Sequence, residues 1–511
     1  MKTKEILIQE SNDFLTTCLG EELSIPNMSN EKKKKLGAFY TPQHTVDFML
    51  EKFRNPGPEG TLLEPSGGDG AFVSRILQKK FLKPNQITVW DIDPGVKKTI
   101  NELGINNFSI KDTLLETEFD DDLFSCSRKF SFVIGNPPYL NKQSQYIKKN
   151  KKRLGKIFKE IGANDTYAMF LYLGCKLLED NGQLCFIISD TYLTLGIHKK
   201  LRKFLLENYT INEITLCPKN LFKDTGALVN TSIIYLTNKK PSSNHSVIFN
   251  DCREKEVGDY KGKKYQTIQK NILNYPDHIF DFNGGAKLLS KVGSFPKMME
   301  FLEGGLGMHT TDNNRFLAVV DYNGLQYAKN NGVKEKISVQ EVDGKRWKFY
   351  HKKGGNQKYY LPAEYAIRWD IASRKNYKMP TNFDTEVRRK GFIISGICSS
   401  LTARLSTPGA LWESNKAMGF FPKDPKKYPA EFFVGVLNSQ TYGKIIRLLN
   451  HTSSLQIRDI KKLPLPNFKK NEIAEISQIS QKIIQGLKKD LDYDFSLEQK
   501  KIDNIVSNYF E

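Results

Sequence analysis

LLEPSGGDGAFVSRIL, residues 62–77, is a short apolar β-type run, a turn carrying Gly67, Gly68 and Gly70, and an amphipathic helical segment. Glycines let backbone approach a ligand where a Cβ would block it, and the helix that follows opens with free amides. Many α/β proteins make such a turn for packing alone, so the next elements decide its meaning. About twenty residues on, ITVWDIDP (87–94) ends a second strand at Asp91 and Asp93, where an acid accepts from ribose hydroxyls. The bland alternative for Asp91 is a strand-end cap. SIKDTLLE (109–116) ends a third strand at Asp112, placed to accept from an adenine amino group and equally suited to cap a turn. No GxGxxG of nicotinamide type and no GKS/T is present, so a nucleoside without a cradled phosphate chain fits better than NAD or ATP.

A fourth strand runs into SFVIGNPPY (131–139). Two prolines can neither donate to a ladder nor sit inside a helix, so the chain leaves regular structure rigidly at Pro137 and Pro138. Asn136 and the Pro137 carbonyl can together accept both hydrogens of a planar amino group, and Tyr139 can stack on the ring that bears it. A plain strand-ending turn is the alternative. Further β-type runs, QLCFIIS (183–189), EITLC (213–217) and TSIIYLT (231–237), alternate with helical segments such as YAMFLYLGCKLLED. Strands alternating with helices predict a largely parallel, doubly wound α/β sheet, and the last two strands are spaced like a hairpin.

TNKKPSSNHS (237–246) reads as a link, beyond which Gly, Lys and aromatics replace the regular alternation until helical spacing returns from about Asn467. With 511 residues the chain has length for two to four domains. The net charge of +20 is spread along the whole chain; it points to a polyanionic partner, nucleic acid first, and serves solubility equally. NKQSQYIKKNKKRLGKIFKE (141–160) holds eight basic residues against one acid directly after the NPPY turn. Lys148, Lys149, Lys151 and Lys152 there are candidate phosphate contacts, a solvated helix being the alternative. The seven cysteines show neither CxxC nor zinc spacing and read as reduced thiols, with no metal site. No signal-like or membrane-spanning run is found, and a cytoplasmic protein is expected.

With these elements in order, the chain resembles the N6-adenine DNA methyltransferases of restriction-modification systems in the gamma, TaqI-type arrangement, over roughly residues 36–240. The resemblance implies a Rossmann-like, seven-stranded, mostly parallel methyltransferase domain using S-adenosyl-L-methionine over 1–245, with a helical arm at 1–35. A mixed α+β DNA target-recognition domain with C-terminal helices is expected over 246–511. GAFYTPQHTVDFML (37–50) looks like the N-terminal cofactor motif, with Tyr40, Thr41 and Pro42 at the cofactor. EPSGGDGAF looks like the methionine-binding loop, assigning Glu64, Pro65, Ser66, Gly67 and Gly70. Asp91 with Ile92 becomes the ribose side, Asp112 with Thr113 the adenine side, and NPPY the catalytic motif. DTYAMFLYLGCKLLEDNGQLCFIIS (165–189) resembles the helix and strand that close the pocket, and LFKDTGALVNTSIIYL (221–236) the segment whose aromatic, Phe222, holds a flipped base.

In the second half GGLGMHTTDNNRFLAV (304–319), VLNSQTYG (436–443) and IRDIKKLPLP (457–466) resemble parts of recognition domains, and LEQKKIDNIVSNYFE (497–511) a closing helix. Arg315, Lys345, Arg346, Arg368 and Arg404 are candidate DNA contacts, with surface charge as the alternative. Double-stranded DNA is the implied partner, with no membrane. Some 36 residues precede the first cofactor motif, too few for a nuclease domain, so a stand-alone enzyme is expected: the modification enzyme of a restriction-modification system with a separate cognate endonuclease or of a phage-defence system, or an orphan methylase. The rival readings are methylation of RNA or of a protein glutamine, since both use NPPY-like loops, and a DNA-recognition subunit without catalysis.

Overall fold

The computed structural model describes residues 41–116, 129–223, 229–282, 285–327, 332–352, 356–380, 383, 389–397, 400–414, 416–450 and 455–511. Tyr40 and the expected arm at 1–35 lie outside them. Two compact units divide the chain, one through residue 284 and one from Gly285 to Glu511.

The first unit is built on strands β1 (Leu62–Glu64), β2 (Ile87–Asp91), β3 (Asn107–Ile110), β4 (Phe130–Gly135), β5 (Leu178–Ser189), β6 (Thr210–Leu216), β7 (Thr231–Thr237), β8 (Ser246–Asp251) and β9 (Lys263–Ile268). They form one sheet in the order β3-β2-β1-β4-β5-β7-β6-β8-β9. The strands from β3 through β5 run parallel, and β7 enters antiparallel between β5 and β6. The expected hairpin spacing of β6 and β7 thus corresponds to an antiparallel pair. Both β1 and β4 are buried along their whole length, as continuous apolar strands with covered faces must be.

Helices α1 (Gln43–Leu50) and α2 (Ala71–Gln78) cover one face, bringing Val46, Met49, Phe72, Val73 and Ile76 onto Ile87, Val89, Phe132 and Ile134. The connections of interest below are α3 (Val96–Glu102), α4 (Gln145–Lys149), α5 (Lys151–Ile157), α6 (Thr166–Lys176) and α7 (Lys199–Asn208). Two expectations need correction. The sheet has nine strands among the described residues, not seven, and the first unit runs some forty residues past 245. The reason is pairing: TNKKPSSNHS only joins β7 to β8, β8 lies parallel to β6, and β9 pairs with β8. The outermost strand, β9, is half exposed and starts with Lys263 and Lys264, charges that suit an edge.

The second unit is mixed α and β. A four-stranded sheet (Leu302–Gly305, Ala417–Pro422, Phe392–Ser395, Ala403–Leu405) packs beneath helices Ala430–Asn438, Gln440–Leu449, Lys470–Lys489 and Ser496–Ser507, through Phe392, Phe420, Phe432 and Phe433. A separate five-stranded sheet is centred on Leu317–Asp321 and Tyr365–Arg368. Among the described residues no helix is long and apolar enough to cross a membrane, and no His/Cys/Asp/Glu group could hold a metal ion.

Candidate cofactor and catalytic site

From β1 the chain steps outward through β2 and β3, then returns to the other side of β1 as β4. This is a topological switch point, where open α/β sheets leave a crevice outside the carboxyl ends of the strands. Leu63 of β1 lies level with Val133 of β4, so Glu64 to Gly67 and Gly135 to Asn136 leave the sheet side by side. A Cβ on Gly67 would come within 2.5 Å of Val89 Cγ1, and the Gly67 amide donates to the Trp90 carbonyl at 3.0 Å. Glycine is therefore required there to seat the turn on β2. Gly70, at φ +76°, makes the left-handed step into α2.

Carboxyl groups line this edge. The Asp91 side chain accepts from the Gly68 amide at 2.8 Å and from the Asp93 amide at 2.8 Å, and burial pushes its pKa up to about 6. Glu64 is 1% exposed, and burial, with the charges of Asp69 and Asp91 beside it, holds its carboxyl well above the usual range. Among the described residues its Oε2 and the Ser66 Oγ are buried without a hydrogen-bond partner. Buried polar atoms without partners call for a ligand or water, and three acids together favour a cationic one. A nucleoside carrying positive charge fits this donor and acceptor set.

Asp112 is differently placed from the expectation of an open adenine acceptor. Burial raises it to about 6, the Leu114 and Leu115 amides donate to Oδ1, and the Tyr146 hydroxyl of α4 donates to both oxygens at 2.9 Å. The Thr113 hydroxyl donates to the Pro65 carbonyl at 2.8 Å and so ties the third loop to the first. Tyr146 escaped the sequence reading because it sits in a segment dominated by lysines; its spacing to Asp112 carries no local signal.

Asn136 follows β4 directly. Its Nδ2 donates to Thr41 Oγ1 at 3.1 Å, which leaves the amide oxygen in the acceptor role. Thr41 is buried, and the next residue, Pro42, caps α1, so the N-terminal cofactor motif and the NPPY turn meet in space. The Tyr139 hydroxyl donates to the Ile187 carbonyl of β5 at 3.1 Å, with the ring edge-on to Tyr167. Lys148, Lys149, Lys151 and Lys152 are all exposed on α4 and α5, which the buried Ile147 and Leu154 hold to the domain.

Three of the expected site residues have other partners in the structure. Phe222 is 1% exposed, packed in the core cluster that contains Val46, Cys217 and Leu221, so its ring is not presented to a target base. Arg404 is also 1% exposed; its guanidinium lies 3.3 Å from Glu364, an interior ion pair with no access to a phosphate. Arg368 is engaged with Glu335 at 2.6 Å and stacks over Trp347, residues on two other strands of its sheet. Arg315, Lys345 and Arg346 are exposed.

The fold and this edge of the sheet define a class first. Over 94% of its length the chain superposes on 77% of the Type IIL restriction-modification enzyme MmeI, solved in complex with DNA, with a TM-score of 0.58 and 13% identity, which establishes a shared fold. The more particular match lies in the site: residues 70–222 match the family described as Eco57I restriction-modification methylase. Homologues include the Type II methyltransferase M.VspI of Vibrio sp. (strain 343), 25% identical over 299 residues that cover 57% of this chain and 68% of that protein. The Type II methyltransferase M.BanIII of Aneurinibacillus aneurinilyticus is 32% identical over 217 residues, 38% of this chain and 37% of its own length. The chain is thus similar to Type II methyltransferases, and residues 70–222 are the part that matches the restriction-modification methylase family.

Proposed function

We propose that this protein methylates the N6 amino group of a flipped adenine in double-stranded DNA, using S-adenosyl-L-methionine, as the modification enzyme of a restriction-modification system. The observation that carries the reading is Asn136 at the switch point, its amide nitrogen committed to Thr41, one strand away from an acid-lined crevice. Glu64, Ser66 and Asp91 would hold the cofactor, Glu64 and its neighbouring acids favouring the positive charge and Asp91 the ribose hydroxyls. The cofactor supplies an electrophilic methyl group on a sulfonium.

The residues of the chain then act on the amine. Its lone pair is delocalised into the purine ring, so it is a poor nucleophile. Accepting both N–H bonds, at Asn136 Oδ1 and at the Pro137 carbonyl, favours a pyramidal nitrogen whose lone pair is directed at the methyl. Asn136 is neutral and no strong base, so the proton leaves to water after transfer. Extruding the base costs a few kcal/mol, which stacking on Tyr139 offsets in part. The exposed lysines of α4 and α5, immediately after this turn, suit the flanking phosphates.

Sequencing the DNA of cells that express the protein, with detection of modified bases, tests the reading. N6-methyladenine at one recognition sequence is expected, and it should vanish with Asn136→Ala. Unmodified DNA in the expressing cells would overturn it.

A further inference from the structure

The NPPY turn is held by the first turn of α6, and one hydroxyl makes the side-chain hydrogen bonds of Thr166 to it. Thr166 Oγ1 accepts from the Leu140 amide at 2.9 Å and donates to the Pro138 carbonyl, while the Thr166 amide donates to the Leu140 carbonyl at 2.8 Å. Asp165 and Asn141 form a bridge beside it. The next residue, Tyr167, meets the Tyr139 ring edge-on at 6.1 Å. Pro138, Tyr139 and Leu140 are therefore all engaged by two consecutive residues of one helix.

Behind this turn lies an interior polar network. His198 Nε2, at the start of α7, is 3.0 Å from Asp165 Oδ2 and 2.9 Å from the Tyr167 hydroxyl, which also meets Thr191 Oγ1 at 2.7 Å. Thr191 in turn lies 3.0 Å from Ser189 Oγ at the end of β5. Thr166 is 1%, His198 2% and Tyr167 3% exposed. Buried polar groups that satisfy one another in this way specify a single arrangement, because any displacement leaves a partner bare in a low dielectric. The prolines explain the need: Pro137 and Pro138 carry no amides, so the turn cannot fasten itself through backbone donors.

We infer that Thr166 is a positioning residue for methyl transfer: by occupying the Pro138 carbonyl and the Leu140 amide it fixes the rotation of the turn, and with it the direction of the neighbouring Pro137 carbonyl and of Asn136. The inference rests on the function proposed above. Valine has the shape of threonine without its hydroxyl, and serine keeps the hydroxyl. Two hydrogen bonds are at stake in a geometry that must be met within a few tenths of an ångström. Thr166→Val should therefore lower kcat by roughly ten- to a hundred-fold, while KM for S-adenosylmethionine stays within about two-fold. Thr166→Ser should restore kcat to within about three-fold of wild type.

The test uses the full-length protein and two readouts. Steady-state methylation of duplex DNA gives kcat and KM, and hydrogen exchange at the Leu140 amide reports the clamp whether or not the protein methylates anything. Exchange at Leu140 should speed up in Thr166→Val and stay slow in Thr166→Ser. Should the valine variant not fold, Thr166→Ala against Thr166→Ser makes the same comparison at smaller volume. Unchanged Leu140 exchange in the hydroxyl-less variants overturns the clamp, and so does serine behaving like valine or alanine. A fast Leu140 amide with undiminished kcat overturns the catalytic role. Wild-type protein that leaves DNA unmethylated overturns the proposed function instead, and the exchange data still decide the clamp.

Discussion

Asp91 joins recognition to pH. In the proposed role its carboxylate accepts from ribose hydroxyls with both oxygens, and burial raises its pKa to about 6. Ligand binding selects the ionised form, so affinity for S-adenosylmethionine should be constant above about pH 7 and fall by up to about tenfold per unit as pH drops through the raised pKa. Asp91→Asn should bind more weakly at pH 7, by about 1–2 kcal/mol, and lose the share of the pH dependence between about 5 and 7 that Asp91 carries, while the share of Asp112, also raised to about 6, and of Glu64 remains. Isothermal titration across that window decides; an unaltered pH profile in the asparagine variant removes Asp91 from the site. Residues of this kind were legible in the sequence because each sits at a strand end with its own local signature: Gly67 in a glycine turn, Asp91 after an apolar run, Asn136 before two prolines. Phe222 and Arg404 show the opposite case. An aromatic or an arginine has no local mark that separates a ligand contact from a buried partner, and here the core claims the first and Glu364 the second.

On the scale of elements, α4 and α5 carry two separable duties. The Tyr146 hydroxyl holds Asp112 through both carboxylate oxygens, and Arg153 donates to the Leu115 carbonyl at 3.0 Å, so this helix pair is fastened to the loop that follows β3. If Asp112 receives the adenine amino group, that hydroxyl must yield first. Tyr146→Phe removes the competitor and should tighten S-adenosylmethionine binding by about 1 kcal/mol, roughly fivefold. Weaker binding in the phenylalanine variant would mean instead that the hydroxyl contacts the cofactor. The outer faces of the same helices bear the lysines. Replacing Lys148, Lys149, Lys151 and Lys152 with Gln should weaken binding to all DNA sequences alike and flatten log K against log salt by up to roughly 0.9 for each phosphate no longer neutralised. An unaltered slope would leave them as a solvated face. The helix pair was readable as basic, but its fastening to Asp112 was not, since a hydrogen bond spanning 34 residues is set by the path of the chain and not by its local pattern. Strands β8 and β9 were missed similarly: Pro and Ser in the preceding stretch signal a turn, and a turn inside a sheet looks the same as a link between domains.

Each of the two units has its own core, and the second buries an ion pair whose partners depend on one another. Burial alone would raise the Glu364 carboxyl, but Arg404 beside it and the His351 ring, 3.8 Å away, hold it below the usual range. Arg404→Ala leaves that carboxylate uncompensated and should cost about 3–5 kcal/mol of stability. Its effect should appear in thermal unfolding, whereas Arg315→Gln and Arg346→Gln, at exposed positions, should leave the melting temperature in place. A wild-type melting temperature in Arg404→Ala would show that the pair is not structural.

For the molecule as a whole, function turns on whether Asn136 presents the adenine amine for methylation. The decisive measurement is single-turnover transfer of labelled methyl from S-adenosylmethionine to duplex DNA, with the product digested to nucleosides, for wild type and for Asn136→Ala. Label is expected in N6-methyldeoxyadenosine alone, with a loss of roughly 100- to 1000-fold in the variant while cofactor and DNA binding stay nearly intact. Label in another nucleoside, or near-wild-type transfer by Asn136→Ala, would contradict this role for Asn136.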